Sequence, residues 1–320
     1  MDPNMAETIL YLAPMRGFTD HIFRKTYAEH FTGLDCAVAP FIATGKNTTY
    51  KKKHIKDLWP ENNPSLPVIP QILSSNAKDF TEFANFLFDS GYGAINWNLG
   101  CPFPMVARKG RGAGMLPHTE TIQAFLNEVL PKIKPGLSLK LRLGWETRED
   151  ILRLLPILNS FPLEELIIHA RTGVQRYQGD VDLEGFQACV SASRHSLVYN
   201  GDIRTLEDFR SLSERFPGVH KWMIGRGCLT HPFLPQCIKQ NRPDIENELE
   251  RRKNFLEALF HGYNDVLDGP GHVLNKMKGF WQYFAPAFSG HEKTIKRIKK
   301  IRNPDEYLKL LAELFEFSEP

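Results

Sequence analysis

The residues able to do chemistry in this chain recur at one kind of position, within or directly after a short apolar run. Cys101 stands in Asn98-Leu99-Gly100-Cys101-Pro102, Lys140 in Leu139-Lys140-Leu141-Arg142-Leu143, and His169 in His169-Ala170-Arg171-Thr172-Gly173. Further along come Asn200-Gly201-Asp202 and Gly225-Arg226-Gly227. Cys101, between glycine and proline, belongs to a sharp loop. A thiol with a pKa of about 8.5 is mostly protonated at neutral pH and suits a proton donor. A nucleophile would need a neighbour such as His169 to depress that pKa. The residues alone leave both roles open. Lys140 and Arg142 alternate with leucines and therefore share one face of a strand. On a buried face they require anionic or electron-rich company; the plain alternative is a solvated pair. A Schiff-base lysine would account for Lys140 but not for Arg142 or Cys101. Gly201 and Gly225 let backbone N–H groups approach a phosphate, with Arg226 adding charge, unless they serve only tight turns. With no P-loop and no metal-spaced cluster, the combination suggests a phosphorylated organic cofactor or substrate.

These positions need a scaffold that brings strand ends together. Eight β-rich segments alternate with helical patterns: 9–15, 36–42, 67–73, 94–100, 137–144, 163–170, 196–202 and 219–227. Between them, 76–90, 119–134, 148–160 and 205–216 carry apolar residues at helical spacing. Eight such units in about 240 residues predict a (β/α)8 TIM barrel, an α/β fold whose chemistry sits at the C-terminal ends of its strands. No G-x-G-x-x-G follows the first strand, which argues against a doubly wound sheet. The rim of the barrel then collects Pro14 and Met15 after the first strand, Gln71 on the third, and the five motifs above. After Gln240 the strand signal stops. Helices are predicted over 244–268, 272–288, 292–301 and 305–317, separated by Gly269-Pro270-Gly271, Ser289-Gly290 and Asn303-Pro304. The expected organisation is a catalytic barrel over 1–242 followed by a small all-helical C-terminal domain over 243–320; helices that merely decorate the barrel are the alternative.

Composition sets the class. The 320 residues are 42% hydrophobic and 24% charged, which excludes a disordered chain. Five scattered cysteines, never spaced C-x-x-C, argue against a disulfide framework or zinc knuckle and for a reducing cytoplasm. No run is long enough for a membrane span, and no signal peptide is evident. Neither metal nor membrane is expected.

The motifs together resemble the tRNA-dihydrouridine synthases of the bacterial type. The resemblance rests on Asn98-Leu99-Gly100-Cys101-Pro102 followed by Arg108-Lys109-Gly110 and Gly112-Ala113-Gly114. It continues through Leu139-Lys140-Leu141-Arg142-Leu143-Gly144, His169-Ala170-Arg171-Thr172, Gln175-Arg176-Tyr177-Gln178-Gly179, Asn200-Gly201-Asp202 and Gly225-Arg226-Gly227. It covers the chain from the first strand to about residue 240, and the family also has a helical C-terminal domain. The resemblance implies an FMN enzyme that reduces the C5=C6 bond of selected uridines in RNA, most naturally tRNA, with NADPH (or NADH) reloading the flavin. Carried over by position, Pro14, Met15 and Arg16 would line the flavin, and Gln71 and Lys140 would hydrogen-bond its ring system, with His169 nearby. Asn200, Gly201, Asp202, Gly225 and Arg226 would hold the phosphate end. Cys101 falls on the catalytic acid, which would protonate C5 after hydride reaches C6. Asn98 and Arg171 fall near flavin and uracil, and Tyr177 on the substrate side. Asn96, Arg16 and Phe103-Pro104-Met105 depart from the family's commonest choices.

Forty Lys and Arg against thirty-seven Asp and Glu give a net charge of only +3. The near-neutral total hides two basic clusters of the kind a phosphate surface attracts. Lys46, Lys51, Lys52, Lys53, His54 and Lys56 fall on the loop after the second strand. Between His272 and Asn303, eight cations including Lys276, Lys278, Lys296, Arg297 and Lys300 face one acid, Glu292. RNA contact is therefore expected from the C-terminal helices of a monomer. The competing readings are an FMN barrel reducing a small-molecule pyrimidine or enone, a synthase acting on ribosomal RNA, and a non-enzymatic RNA-binding factor.

Overall fold

Alternating face use along each strand builds the barrel. The computed structural model describes residues 8–45 and 55–316. Its strands are β1 (Ile9–Leu12), β2 (Cys36–Val38), β3 (Ile42–Ala43), β4 (Val68–Ile69), β5 (Gln71–Leu73), β6 (Ala94–Leu99), β7 (Gly136–Arg142), β8 (Leu166–His169), β9 (Leu197–Asn200) and β10 (Lys221–Ile224). All these pairings are parallel. β2 and β3 flank Ala39-Pro40-Phe41, and β4 and β5 flank Pro70, so each pair is one barrel strand interrupted where proline withholds an N–H. β2 pairs with β4, β3 with β5, and β10 with β1, which closes a ring of eight. The expected (β/α)8 barrel is the observed fold.

Residues of one parity point into a helix-covered layer. Leu137, Leu139 and Leu141 of β7, Ile95, Trp97 and Leu99 of β6, and Trp222 and Ile224 of β10 all join that large core. The other parity points into the barrel. There Tyr11, Ala13, Val38, Ile167, Val198 and Met223 form a small separate apolar plug. Below it, the buried Glu165 accepts from Tyr11 Oη and Lys221 Nζ, satisfying a charge that would otherwise be costly. Above it the inward positions turn polar: Asn96 and Asn98 on β6, Lys140 and Arg142 on β7, His169 on β8, Asn200 on β9.

Helix starts follow ordinary capping. Asn76 accepts from the Asp79 N–H at the head of Ala77–Asp89, and Thr205 with Asp208 forms a capping box for Leu206–Arg215. The helices His21–His30 and Leu183–Ala192 have apolar stripes too short to stand out in the sequence; Asp20 and Asp182 cap them. Four helices follow residue 247 among the described residues: Glu248–Asn264, Pro270–Phe284, Glu292–Ile298 and Pro304–Glu316. Their aromatic residues continue the barrel's core. Phe255 lies edge-on to Phe23 at 6.0 Å and to Phe31 at 4.8 Å, and Phe280 stacks on Phe23 at 5.6 Å. Among the described residues, no helix is long and apolar enough to cross a membrane.

Candidate active site

The register places the polar inward residues on neighbouring rungs: Asn98 opposite Lys140, Arg142 opposite His169, and His169 opposite Asn200. Lys140 Nζ donates to Asn200 Oδ1 at 2.8 Å, and Asn200 Nδ2 donates to the Met223 carbonyl at 2.9 Å. Burial, and next the charge of Arg142, push the Lys140 ammonium down to about 7. His169 is buried, and its Nδ1 has no hydrogen-bond partner among the described residues. Burial first, then Arg142, Lys140, Arg171 and Arg226, hold its pKa well below the usual value, so the imidazole is neutral at pH 7. That disposes of His169 as a cation that could activate Cys101. Gln71 Nε2 donates to Asn96 Oδ1 at 2.7 Å, Asn96 Nδ2 to Ser138 Oγ at 2.8 Å, and Asn98 Nδ2 to Gln71 Oε1 at 2.8 Å. This chain of amides runs across three strands and aims Asn98 Oδ1 at the loop beyond β6.

Cys101 lies in that loop. Its N–H donates to Asn98 Oδ1 at 2.9 Å, and the Ala113 N–H donates to its carbonyl at 3.1 Å. A side chain at Gly112 would place its Cβ 2.7 Å from the Cys101 carbonyl, at a φ of +56° that itself favours glycine. The Gly112-Ala113-Gly114 run is thus a close-approach seat for the Cys101 backbone. Burial raises the thiol pKa, and the Phe103 N–H, Arg142, Arg16 and Lys140 only partly oppose that shift. Cys101 therefore carries its proton at neutral pH.

A second cluster closes the mouth. Asp202, in the left-handed region at φ +39°, accepts from Arg171 Nη2 and from Arg226 Nη2 at 2.6 Å, with Arg204 at 3.2 Å. Burial opposes its charge, but the hydrogen bond from Arg171 and the charges of Arg171, Arg204 and Arg226 hold the carboxyl below its ordinary value. Arg171 is 1% exposed; its Nη1 finds no partner among the described residues. Arg142 donates to the carbonyls of Gly100, Thr172 and Arg176 at 2.9, 2.8 and 2.7 Å, joining the loops after β6 and β8. The Tyr177 ring lies 5.3 Å from both the Arg142 and Arg226 guanidinium carbons. A Cβ added at Gly225 would lie 3.5 Å from Met15 Sδ, so the ends of β10 and β1 meet. Pro14 follows β1, and Arg16 lies 5.6 Å from the Phe41 ring centre.

The sites expected on the barrel thus gather at one mouth, from Arg16 and Gln71 to Arg226. Of the C-terminal cations, Lys276 reaches the loop after β1 next to Arg16, whereas Lys278 and Arg297 bond within the C-terminal helices. Lys276 Nζ donates to the Gly17 carbonyl at 2.8 Å and to Asp20 at 2.6 Å, Lys278 donates to the Ile301 carbonyl, and Arg297 pairs with Glu313 at 2.9 Å. Lys296 and Lys300 are exposed. Of the basic loop after β2, Lys46, Lys51, Lys52, Lys53 and His54 lie outside the described residues. Sequence reasoning missed the dock that Lys276 serves: Phe18 sits edge-on to Phe280 and Tyr283 at 5.3 and 5.1 Å, and Tyr263 Oη donates to Asp20 at 2.8 Å. It also missed Ser138, although its two-residue offset from Lys140 places it on the same inward face. Among the described residues, no group of His, Cys, Asp and Glu could hold a metal.

The family model described as dihydrouridine synthase (Dus) matches residues 11–312. The chain belongs to the dihydrouridine synthase family. It is 26% identical over 278 residues to tRNA-dihydrouridine synthase B of Vibrio cholerae, covering 87% of this chain and 82% of that one. It is 30% identical over 267 residues to a probable tRNA-dihydrouridine synthase of Rhodobacter capsulatus, covering 82% and 81%. Over 322 residues it is 24% identical to tRNA-dihydrouridine(16) synthase of Neisseria meningitidis, covering 96% and 95%. Two solved structures share the barrel: the old yellow enzyme from Trypanosoma cruzi (TM-score 0.52, 12% identity, 81% of this chain and 94% of that one) and morphinone reductase in complex with tetrahydroNAD (0.52, 8%, 74% and 88%). A dihydrouridine synthase is an oxidoreductase, because its reaction adds two hydrogens across the C5=C6 bond of uracil.

Proposed function

We propose that this protein reduces specific uridines of tRNA to 5,6-dihydrouridine with FMN and NADPH, and that Cys101 supplies the proton. The observation that carries the reading is that Cys101 lies on the same mouth as Lys140, His169 and Arg226, where burial raises its thiol pKa. The residues present fit a flavin nucleotide. His169 Nδ1 and Arg171 Nη1 are buried polar atoms without partners among the described residues, and Lys140 is an amine whose charge burial disfavours until an anionic partner arrives. What bound FMN supplies, once reduced by NADPH, is a hydride for C6 of the uracil ring. The remaining work falls to the chain. Lys140, oriented by Asn200, would hold the flavin ring and stabilise the negative charge it carries when reduced. Gln71 and Asn98 hold hydrogen-bonding amides toward the same space, beside Pro14, Met15 and Arg16. Gly201, Gly225 and Arg226, braced by Asp202, take the phosphate end. Cys101 Sγ holds the proton for C5, and Arg171 and Tyr177 border the uracil. The helices of 243–320 are assigned to RNA as a binding domain, through the exposed Lys296 and Lys300 with Arg297.

Purified protein is expected to show a flavin spectrum and to form dihydrouridine in tRNA, read by mass mapping. Activity on free uridine but not on tRNA would favour the small-molecule reading instead. Neutralising Lys296, Arg297 and Lys300 together should weaken tRNA binding and reduce the slope of log affinity against log salt by up to about 3, one unit for each phosphate no longer neutralised. Equal slopes would remove these residues from the interface.

Lys140 makes flavin binding pH-dependent. In the free protein it is about half charged at pH 7. The ring edge that turns anionic on reduction would raise that pKa, so binding of reduced FMN takes up a proton and its affinity falls as pH rises above about 7. Anaerobic calorimetric titrations with pre-reduced FMN in two buffers of different ionisation enthalpy should reveal the uptake, and Lys140→Met should abolish it.

A further inference from the structure

Among the described residues, large apolar side chains are exposed at few places, and four of them border one mouth. Phe103 is 57% and Met105 69% exposed on the loop carrying Cys101; Val174 and Tyr177 are 50% and 57% exposed on the loop after β8. The Arg142 guanidinium, bonded to Gly100, Thr172 and Arg176, ties the two loops into one surface. We propose that Phe103, flanked by Met105, is a stacking platform for an unpaired RNA base next to the uridine that reaches Cys101. The inference rests on the reading of the chain as a tRNA-uridine reductase.

Three observations support it. The first is position: Phe103 stands two residues from Cys101, and its carbonyl accepts from the Val106 and Ala107 N–H groups at 2.8 and 2.9 Å, so the ring is anchored close to the proton donor. The second is rigidity. Cys101 and Phe103 each precede a proline, Pro102 and Pro104, which confines both to extended backbone. Phe103 accordingly has φ −65° and ψ 129° and stands at the head of the short helix Pro104–Ala107. A ring held this way loses little freedom when something stacks on it. The third is charge. Arg16, Lys140, Arg142 and Arg226 surround the same mouth, which favours a polyanion with flat apolar faces over a protein or lipid partner. An unpaired stretch of RNA has both properties, because its bases can splay out and stack on aromatic side chains. Recognition by stacking also tolerates any base, so Phe103 would hold the loop open while Cys101 and its neighbours select uracil.

The test measures tRNA binding across a series of salt concentrations for wild type, Phe103→Ser, Phe103→Leu and Phe103→Tyr, each checked for native circular dichroism. Phe103→Ser is expected to bind about tenfold more weakly at every salt concentration, with an unchanged salt slope. Phe103→Tyr should restore affinity and Phe103→Leu should not, since only an aromatic face stacks. In turnover the loss should appear in KM for tRNA more than in kcat. Wild-type affinity in Phe103→Ser, full recovery with Phe103→Leu, or a reduced slope would each overturn the platform. A wild-type protein that binds tRNA but forms no dihydrouridine would overturn the functional reading alone, because the platform is scored on binding without turnover.

Discussion

Replacing Cys101 with alanine is expected to leave a folded, flavin-binding protein whose rate of dihydrouridine formation falls by about 10²–10⁴-fold, the usual loss on removing a positioned general acid. The site loses only Sγ. Asn98 still receives the backbone N–H of residue 101, and the seat formed by Gly112 and Ala113 is untouched. Single-turnover reduction of tRNA by the pre-reduced variant is the decisive measurement, since it separates proton delivery from reloading of the flavin; an unchanged rate would remove Cys101 as the acid. The pH profile provides a second check. Because burial raises the thiol pKa, Cys101 is protonated throughout the neutral range, and activity dependent on it should decline only on the alkaline side. A thiolate nucleophile would show the opposite profile, gaining activity as pH rises.

Removing the carboxylate of Asp202 should have the largest effect on stability. Arg171 is 1% exposed and, among the described residues, keeps only the Gly179 carbonyl as a partner once Asp202 is gone. Breaking a buried ion pair from one side typically costs about 3 kcal/mol or more. Asp202→Ala is therefore expected to lower the urea midpoint substantially at unchanged slope. Asp202→Asn keeps an acceptor and a residue that tolerates the left-handed conformation, and should recover part of the loss. The pH dependence has a definite sign. A carboxyl whose folded pKa lies below its unfolded value of about 4 contributes stability above that value and loses it as pH falls through the lowered pKa. The gap between wild type and Asp202→Ala should therefore narrow in acid, not in alkali.

Much of this site is legible in the sequence because parallel barrels make it so. Each strand ends at the same rim, so residues far apart in the chain, such as Cys101, Lys140, His169 and Arg226, are neighbours once the eight repeats are recognised. Strict alternation with leucines shows in advance that Lys140 and Arg142 share a face. The two prolines that split β2 from β3 and β4 from β5 are visible as well, although their effect is a broken ladder within strands read as continuous.

Pairing choices are another matter. Lys276, Lys278 and Arg297 read as part of a basic face, yet they bond to Asp20, the Ile301 carbonyl and Glu313, because a long flexible cation takes whichever acceptor folding places beside it. Nothing local in the sequence couples Lys276 to a carboxylate 256 positions away. The docking of Phe280 and Tyr283 on Phe18 is equally invisible, since an aromatic residue at helical spacing fits any core.

The sequence by itself determined the barrel, its helical extension and the ring of rim residues, because periodicity and strand-end position are properties of local order along the chain. Only the tertiary structure decided which of those residues keep a proton or a charge. Protonation follows from burial and from neighbours brought in by other strands: the desolvated Cys101 keeps its proton, Lys140 lies poised near 7, and His169 is neutral among Lys140 and three arginines. Three-dimensional packing sets those energies.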